Sequence, residues 1–349
     1  MERPNRRSAA EIVKGEQSVL TISEADIERL LDPQSLIDGL AEGFRALGRG
    51  EIQTPDRPEI AVPGKGFMLS MPAWQAGGPM MVKMVCVFEG NLDLDLPNHL
   101  ALITLFDADT GMPVCVMDGT YITAIRTAAA AVLSVRELAR RDAKVATIVG
   151  AGVQGRQHLH LLPLVRDFDE IQICSLYPED AENLAATVPN ARATRDVEAA
   201  VRRSDVVCLC SHAYQPVIEA DWVRPGTHVS SVGYTPWPGE LPQDLIRPNT
   251  LFVEDEAAFR PQPVGCAELD GLDPSIAITL GDMLNGTAPG RTSSGQITVY
   301  KAMGIAMEDL VAATLAYRRA VDHGGTGQRP LLTGSPFCAP PGFPCLPPP

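Results

Sequence analysis

The sequence predicts an α/β protein in which a unit of alternating strands and helices is inserted into a second unit of mixed structure. From residue 145 to 253, apolar strand-like runs alternate with helical runs, which is typical of βαβ units and a parallel sheet. Between residues 57 and 118, short apolar runs separated by Gly, Pro and Asp predict a largely antiparallel sheet. An amphipathic segment after residue 290 predicts a long helix, which is expected to return to the first unit.

Two helices are predicted at the start of the chain. Ser23 and Asp26 have the spacing of a capping box, which predicts a helix over about 24–31. The chain restarts at Asp32-Pro33, and a second helix follows because apolar residues recur at helical spacing until glycines end the pattern. The apolar residues of this second helix are Leu36, Leu40, Phe44 and Leu47.

The antiparallel sheet and one further helix complete the first half of the chain. The strand-like runs are PEIAVP, FMLSMP, MMVKMVCVF, HLALITLFD and PVCVMDG. Residues 123–141, TAIRTAAAAVLSVRELARR, form a strong helical pattern because alanine, leucine and arginine favour helices.

The second half alternates between strands and helices. VATIVG is a predicted strand, and after a glycine turn a helix runs to about residue 165. The runs that follow are EIQICSL, EDAENLAATV, DVVCLCS, THVSSVG and TLFVED. The segment ITVYKAMGIAMEDLVAATLAYRRAVDHG is interpreted as one long amphipathic helix. The polar residues 1–18 and the proline-rich residues 331–349 are expected to be flexible tails.

The charge balance argues against several classes of partner. The chain has 29 Lys and Arg residues against 43 Asp and Glu residues, a net charge of −14. Phosphate-rich surfaces need basic patches, so neither nucleic acid nor a membrane surface is an expected partner. The sequence contains no apolar run of transmembrane length and no apolar signal-peptide core, so a cytoplasmic protein is expected. The 8 scattered cysteines are expected to be buried and reduced, with no metal site.

The stretch VATIVGAGVQGRQHLHLL, residues 145–162, carries the main binding motif. Gly150, Gly152 and Gly155 form a G-x-G-x-x-G pattern after an apolar strand and at the start of a helix. In this context the glycines allow a tight turn and the close approach of a pyrophosphate, whose charge meets the helix N-terminus. The sequence therefore predicts a dinucleotide site.

The phosphate preference of that site is open. An acidic residue that binds the adenosine ribose is expected about 20 positions further on, at the end of the next strand. Cys174 and Ser175 occupy that place, and Asp180 comes several residues late. Ser175 can donate a hydrogen bond to a phosphate, but no Arg stands beside it in the sequence, so NAD and NADP both remain candidates.

Three cations in apolar surroundings stand out in a chain this acidic. Lys83 lies in MMVKMVCVF, Arg126 in TAIRTAAAA and Arg57 in TPDRPEI. A single Lys or Arg is usually a solvated surface charge. Lys83 differs because apolar neighbours on both sides leave it buried, where it needs an anionic partner. A substrate carboxylate would be such a partner, and Arg binds carboxylates bidentately.

Over about residues 20–320, several motifs resemble those of the ornithine cyclodeaminase/mu-crystallin family in their sequence and in their order along the chain. The motifs are MPAW, VKMVCVFEGN, LFDADTG, DGTYITAIRTAAAA, VGAGVQGRQHL, GYTPWPGEL and GRTSSGQITVYKAMGIAMEDL. The resemblance implies a homodimer whose Rossmann-type NAD(P) domain, 138–305, is inserted in an α+β substrate-binding and dimerisation domain, 19–137 plus 306–330. It also implies hydride chemistry on a small amino or imino acid.

The resemblance implies roles for single residues. Arg57, Lys83 and Arg126 match the catalytic cluster that holds the substrate carboxylate, and Lys83 would also handle the proton at the amine. Met71, among the methionines near Lys83, is assigned to the apolar wall of the substrate site. The residues assigned to the cofactor are Gly150, Gly152, Val153, Gln154, Gly155, Ser175, Thr127, Val232, Gly233, Lys301 and Gly304.

One position departs from the family pattern. Cyclodeaminases carry an Asp shortly after the glycine of the VG loop, where it acts on the side-chain amine of the substrate, whereas this chain has Thr235. Threonine does not ionise near pH 7, so it cannot be that acid–base group. An imine reductase or amino-acid dehydrogenase with Thr235 near the substrate is therefore favoured. The alternatives are a cyclodeaminase that recycles bound NAD, and an NADPH- and ligand-binding protein with little turnover.

Three further residues are interpreted without a catalytic role. Glu59 would share a strand face with Arg57 and orient it, or would form a surface pair with it. His99 is interpreted as a hydrogen-bonded structural histidine, and Asp309 as a structural residue.

Overall fold

The computed structural model describes residues 18–94, 96–235, 238–248, 250–262, 264–323 and 328–330. Apart from Ser18, the predicted tails lie outside the described residues, as do Cys338 and Cys345. The strands of the described part form two sheets. None of the described helices combines the length and apolar character that a membrane span requires.

The first sheet is mostly antiparallel. Its strands are β1 (Ser18–Ile22), β2 (Ile52–Gln53), β3 (Glu59–Val62), β4 (Gly66–Gln75), β5 (Met80–Val87), β6 (His99–Phe106), β7 (Pro113–Asp118) and β16 (Gln328–Pro330). They lie in the order β16-β1-β7-β6-β5-β4-β2, with β3 also paired to β4, and β1 runs parallel to β7. The predicted antiparallel sheet is confirmed, whereas β1, β2 and β16 fall outside the predicted strands.

Helices α1 (Glu24–Leu30), α2 (Pro33–Gly48), α3 (Thr120–Leu138) and α8 (Ala306–Asp322) pack with this sheet. Ser23 caps α1 in the predicted capping box with Asp26, and Asp32 caps α2 with Pro33 at its first position. The helix α8 packs against α2, α3, β4 and β5, so the last helix does return to the first sheet.

The second sheet is parallel throughout. Its strands are β8 (Val145–Val149), β9 (Glu170–Cys174), β10 (Ala191–Ala193), β11 (Val206–Leu209), β12 (His228–Ser231), β13 (Leu251–Val253), β14 (Ala277–Thr279) and β15 (Thr298–Lys301). They lie in the order β10-β9-β8-β11-β12-β15-β13-β14. Helices α4 (Val153–Leu161), α5 (Pro178–Ala185), α6 (Val197–Arg203) and α7 (Leu280–Asn285) accompany them.

The strand order of the second sheet locates a crevice for a ligand. The chain leaves β8 towards β9 on one side and later returns to β11 on the other side. In open parallel sheets, ligands bind outside the carboxyl ends of the strands where the order reverses in this way. The glycine turn follows β8 and therefore lies at this edge. The predicted βαβ arrangement is confirmed.

The predicted start of the last helix is wrong. The sequence predicts a helix throughout the segment that starts at Ile297, but Thr298–Lys301 form β15 and the helix begins only at Ala306. The strand contains β-branched and aromatic residues, which favour strands. It is fully buried and pairs with β12 and β13. Gly304, with a φ of +76°, separates the strand from the helix. A short apolar run does not distinguish a buried strand from a buried helical turn.

Candidate active site

Three buried charged side chains from different elements meet against the inner face of the first sheet. Lys83 comes from β5, Arg126 from α3 and Asp309 from α8. The Lys83 Nζ atom lies 2.7 Å from Asp309 Oδ2, and the Arg126 Nε atom lies 3.0 Å from Asp309 Oδ1. Asp309 therefore bridges the two cations. We refer to Lys83, Arg126 and Asp309 as the charged cluster.

Strand alternation explains why Lys83 is buried. It pairs directly with Met71 on β4 and with Ile103 on β6, and both of these neighbours are buried on the same face. Only 1% of Lys83 is exposed. A buried ammonium needs an anion, which α8 supplies as Asp309. Met71, predicted to form an apolar wall, thus lies beside Lys83.

The surroundings set the protonation of the charged cluster. Burial lowers the pKa of Lys83 to about 8, although Asp309 opposes this effect. Burial alone would raise the pKa of Asp309, but Arg126 and Lys83 outweigh it and hold that pKa below its ordinary value. Lys83 also donates a hydrogen bond to Thr123 Oγ1 over 3.3 Å. Near neutral pH, Lys83 can therefore both donate and accept a proton.

Two further acidic residues extend the charged cluster. Arg126 donates through Nη1 to Glu308. Burial and the neighbouring Glu254 raise the pKa of Glu308 well above its ordinary value. The Glu254 carboxylate accepts hydrogen bonds from the Tyr300 hydroxyl over 2.9 Å and from the Gly304 amide over 2.7 Å. Both cations of the charged cluster therefore already have a buried acidic partner, which is Asp309 for Lys83 and Asp309 with Glu308 for Arg126.

Arg57 approaches the same region from the loop before β3. Its guanidinium donates to the backbone carbonyls of Gly304 and Val264, and its Cζ atom lies 5.7 Å from the centre of the Tyr234 ring. Among the described residues, neither Glu59 nor another carboxylate pairs with Arg57, and its buried Nε atom has no hydrogen-bond partner. Arg57 is thus a cation whose charge no described side chain balances.

His99 borders the charged cluster. It is half-buried on β6, on the same face as Lys83. Burial lowers the pKa of His99 to about 4, and the charges of Lys83 and Arg126 contribute to this shift. The imidazole is therefore neutral near pH 7 and lies within electrostatic reach of the cations, a position that its interpretation as a structural histidine did not anticipate.

The glycine turn has the shape that a pyrophosphate requires. A Cβ atom on Gly150, whose φ is +117°, would collide with the Cys210 carbonyl, and one on Gly155 would collide with the Gly150 carbonyl. A Cβ atom on Gly152 would meet no atom within 4 Å. Gly152 also caps α4 without a side-chain hydrogen bond, so the first N–H groups of this helix remain available to a ligand. The residues present therefore fit a phosphate group.

Gln154 connects the glycine turn to the helix that carries Arg126. Its Nε2 atom donates to the Ala124 carbonyl over 3.2 Å, while its buried Oε1 atom has no partner among the described residues. Ala124 lies two positions before Arg126 on α3. Thr127 is half-buried at the next position of α3, and Val153 is exposed at the start of α4. The glycine turn and the charged cluster therefore adjoin across α3.

Buried side chains fix the loop after β12 through hydrogen bonds. The Gly233 amide donates to Glu240 over 2.7 Å. The Lys301 Nζ atom donates to the Gly233 carbonyl over 2.6 Å and lies 2.8 Å from Glu268, and Lys301 is fully buried. Lys301, assigned above to the cofactor, therefore supports the loop of Val232 and Gly233 with a side chain that is already occupied within the protein.

The remaining predicted residues, Ser175 and Gly304, lie apart from each other. Ser175 is half-buried at the carboxyl end of β9, where its Oγ atom accepts a hydrogen bond from the Tyr177 amide over 3.2 Å. Gly304 lies against the Arg126 guanidinium, with which a Cβ atom would clash. Gly304 thus belongs to the surroundings of the charged cluster. Within the described part of the chain, no group of three His, Cys, Asp or Glu residues is arranged to hold a metal ion.

Thr235 is buried, and its hydroxyl is already used. The Oγ1 atom donates to the Ala213 carbonyl over 3.0 Å, and the Thr235 carbonyl accepts a hydrogen bond from Gln262 over 3.1 Å. The side chain thus anchors its own loop and provides no ionisable group at this position.

Comparison with known proteins identifies the family of this chain. A family model described as the ornithine cyclodeaminase/mu-crystallin family matches residues 16–324. The chain belongs to this family. The ketimine reductase mu-crystallin of Mus musculus is 35% identical over 273 residues, which cover 77% of this chain and 85% of that protein. The alanine dehydrogenase of Archaeoglobus fulgidus is 29% identical over 308 residues, which cover 86% of this chain and 95% of that protein.

Solved structures share the fold of this member of the ornithine cyclodeaminase/mu-crystallin family. Thermococcus litoralis Δ1-pyrroline-2-carboxylate reductase, in complex with NADH and L-proline, matches with a TM-score of 0.81 and 31% identity over 88% of this chain and 99% of that one. An archaeal alanine dehydrogenase dimer with bound NAD matches with a TM-score of 0.82 and 27% identity, over 89% and 99%. The predicted Rossmann-type α/β fold is therefore confirmed.

Sequence reasoning found the cations of this family member but missed their partners. Asp309, for which the sequence predicts only a structural role, bridges Lys83 and Arg126. The sequence patterns assign no role to Glu308 or Glu254. A usable signal was present, because Glu308 and Asp309 are adjacent acids in an otherwise apolar helical segment, and buried acids require cationic partners.

Proposed function

We propose that this protein is an NAD(P)-dependent oxidoreductase that transfers a hydride between a nicotinamide and the Cα atom of a small amino or imino acid. The observation that carries the proposal is the bond between Gln154 and the Ala124 carbonyl, which joins the glycine turn to the helix of Arg126. The proposed cofactor site thus adjoins the charged cluster. The relatives described as ketimine reductase, pyrroline-2-carboxylate reductase and alanine dehydrogenase support the same chemistry.

The cofactor would be held by the glycine turn. Gly152 leaves room for the pyrophosphate, and the first N–H groups of α4 with Gln154 would bind it. A nicotinamide cofactor bound there would supply or accept the hydride. The nicotinamide would be bordered by Val232, Gly233 and Thr127. Lys301 would fix the loop of Val232 and Gly233 through its hydrogen bond to the Gly233 carbonyl.

Arg57 is the principal anchor for the substrate carboxylate in this proposal. Lys83 and Arg126 already share the buried Asp309 carboxylate, so part of their positive charge is neutralised within the protein. Arg57 brings the additional positive charge, and its buried Nε atom is an unused donor. A carboxylate bound between Arg57 and the charged cluster would leave the Cα atom facing the cofactor.

Lys83 would handle the proton of the substrate nitrogen. Oxidation of an amine requires that the amine first lose a proton, which a neutral Lys83 can accept. In the reverse direction a protonated Lys83 can return it to the nitrogen as the hydride reaches Cα. Because burial lowers the pKa of Lys83 to about 8, both forms are accessible near neutral pH.

Cyclodeamination is disfavoured by the position of Thr235. That reaction needs an acid–base group near the side-chain amine of the substrate, whereas the Thr235 hydroxyl is committed to the Ala213 carbonyl. The retained charged cluster also argues against a protein that only binds NADPH and a ligand. The cytoplasmic location and the domain boundaries inferred from the sequence stay predictions.

A cofactor-consumption assay tests the proposed function. Purified protein with NADH or NADPH should oxidise the cofactor when given cyclic ketimines, or 2-oxo acids with ammonia. A cyclodeaminase would release ammonia from ornithine or lysine without net cofactor turnover. A binding protein would retain cofactor and show no turnover with any substrate in the panel, and either of these results would contradict the proposal.

We also propose that the protein is a homodimer that pairs through the outer face of the first sheet. Strand alternation places large apolar residues on the face opposite to Lys83. The exposed members are Ile60, Val62, Met80, Leu100 and Leu102. A contiguous apolar surface of this kind is typical of a protein interface. The similar archaeal alanine dehydrogenase is described as a dimer.

Substitution on this face should break the dimer. Leu102→Glu would place a charge on a residue that is 50% exposed in the single chain, and we expect it to yield monomers. Leu164→Glu is the matched control, because Leu164 is 43% exposed but lies outside the first sheet. Size-exclusion chromatography with light scattering gives the mass. A single-chain mass for the unmodified protein, or an unchanged mass for Leu102→Glu, would contradict this interface.

A further inference from the structure

The carboxyl end of β9 is the place where a Rossmann-type domain distinguishes its two cofactors. A carboxylate at this strand end binds the adenosine ribose of NAD, whereas an Arg accommodates the 2′-phosphate of NADP. Ser175 follows β9 here, and Leu176 comes next. The first carboxylates on this connection, Glu179 and Asp180, belong to the first turn of α5 and not to the strand end.

Strand pairing brings an arginine to the same place. The strand β10 runs parallel to β9, with Ala193 beside Ile173. The pairing continues beyond the strand, since the Thr194 amide donates to the Ile173 carbonyl over 2.9 Å. If this register is continued past Thr194, Arg195 falls opposite Ser175. The two residues are far apart in the sequence, so inspection of the sequence around Ser175 does not reveal the arginine.

Arg195 is available to a ligand. It is exposed, and its side chain makes neither an ion pair nor a hydrogen bond with any described residue. Nearby arginines behave differently, because Arg202 pairs with Glu198 and Arg203 pairs with Glu170. The adjacent Asp196 is occupied as the cap of α6, where its Oδ1 atom accepts the Ala199 amide over 2.9 Å.

We propose that Ser175 and Arg195 bind the 2′-phosphate of the cofactor, so that this protein prefers NADPH to NADH. This inference rests on the proposed function, because it concerns the adenosine end of the same cofactor. A guanidinium binds a phosphate through paired, charge-assisted hydrogen bonds, and a serine hydroxyl can add a third. Because position 175 is a serine, it carries no carboxylate that would repel the phosphate or accept a hydrogen bond from a free 2′-hydroxyl.

The neighbouring surface suits the adenosine portion of such a cofactor. Leu176 is 87% exposed and Tyr177 is 66% exposed directly after Ser175. Apolar side chains left in water at a strand end offer a surface on which an adenine ring can pack. The 2′-phosphate would then lie between this surface and Arg195.

Binding measurements without substrate test the assignment. Isothermal titration calorimetry with NADP⁺ and NAD⁺ should show tighter binding of NADP⁺ to the unmodified protein. We expect Arg195→Ala to weaken NADP⁺ binding by roughly 10- to 100-fold, the effect of losing a hydrogen-bonded charge, and to leave NAD⁺ binding unchanged. Arg192→Ala is the matched control, because Arg192 is an exposed arginine on β10 that pairs in register with Gln172, away from the strand end.

A gain-of-function variant completes the test. Ser175→Asp should strengthen NAD⁺ binding and weaken NADP⁺ binding, because the new carboxylate would accept from the ribose and repel the phosphate. Tighter binding of NAD⁺ by the unmodified protein, or equal NADP⁺ affinity in Arg195→Ala and Arg192→Ala, would overturn the 2′-phosphate site and leave the proposed function standing. Failure to bind either nucleotide would overturn the proposed function itself.

Discussion

Replacing Lys83 with methionine is expected to lower turnover by roughly a hundred- to ten-thousandfold, the range that a positioned proton-transfer group contributes. Lys83 is the buried group of the charged cluster whose pKa, about 8, allows both protonation states near neutral pH. Lys83→Met keeps the length and apolar stem of the side chain and removes only the ammonium. Asp309 keeps its bond to Arg126, 3.0 Å away, so the substitution does not leave the carboxylate alone.

The pH dependence separates proton transfer from packing. Below about pH 8, Lys83 carries its proton, so the reductive rate should be highest there and should fall as the pH rises through this value. The oxidative rate should rise over the same interval, because only neutral Lys83 accepts a proton. Lys83→Arg keeps the charge but does not lose its proton in this range, so it should show little oxidative activity at any pH tested.

Cofactor binding and melting temperature provide the controls for Lys83. Both should be close to unmodified values in Lys83→Arg, since the ion pair with Asp309 can be retained. Near-normal turnover in Lys83→Met, or pH profiles without a transition near 8 in the unmodified protein, would contradict the role assigned to Lys83.

Replacing Asp309 with asparagine should have the second-largest effect, a loss of about a hundredfold in turnover, as expected when a reacting group is displaced by about 1 Å. Asp309 touches both Lys83 and Arg126 and is fully buried, so it acts as a positioning residue. Without its charge, two cations would face each other in a buried site. The cost in unfolding free energy should be about 3–5 kcal/mol, typical of a broken buried ion pair.

The direction of a pKa change identifies the role of Asp309. The carboxylate raises the pKa of Lys83 against the effect of burial, so its removal should lower that pKa further. The fall of the reductive rate in Asp309→Asn should therefore begin at lower pH than in the unmodified protein. Asp322→Asn, at the exposed end of the same helix, is the control and should change neither the profile nor the stability. If the pH dependence of the reductive rate were the same in Asp309→Asn as in the unmodified protein, Asp309 would have only a structural role.

Local patterns account for what the sequence predicts well. The capping box at Ser23 and Asp26 and the glycine turn at Gly150–Gly155 are complete within a few neighbouring residues, and the structure shows them as expected. Lys83 is recognisable because its own strand neighbours are apolar, which predicts its burial. These inferences need no knowledge of distant parts of the chain.

Features that depend on distant pairing are not accessible in this way. Asp309 meets Lys83 because α8 returns across the first sheet, and the proposed pairing of Arg195 with Ser175 follows only from the register of β9 and β10. The missed start of α8 has a similar cause, because the Thr298–Lys301 strand exists through its pairing with β12 and β13. In each case the deciding contact joins residues that local sequence patterns do not connect.

Deuterium transfer tests the central claim most directly. The protein is given NADPH or NADH deuterated at C4 of the nicotinamide, in separate samples for each of the two C4 positions, together with the imine substrate that turns over fastest. Mass spectrometry and NMR of the amino-acid product should find deuterium at Cα from one of the two labelled positions. Product that carries no deuterium from either position, or carries it at another carbon, would contradict hydride transfer to Cα.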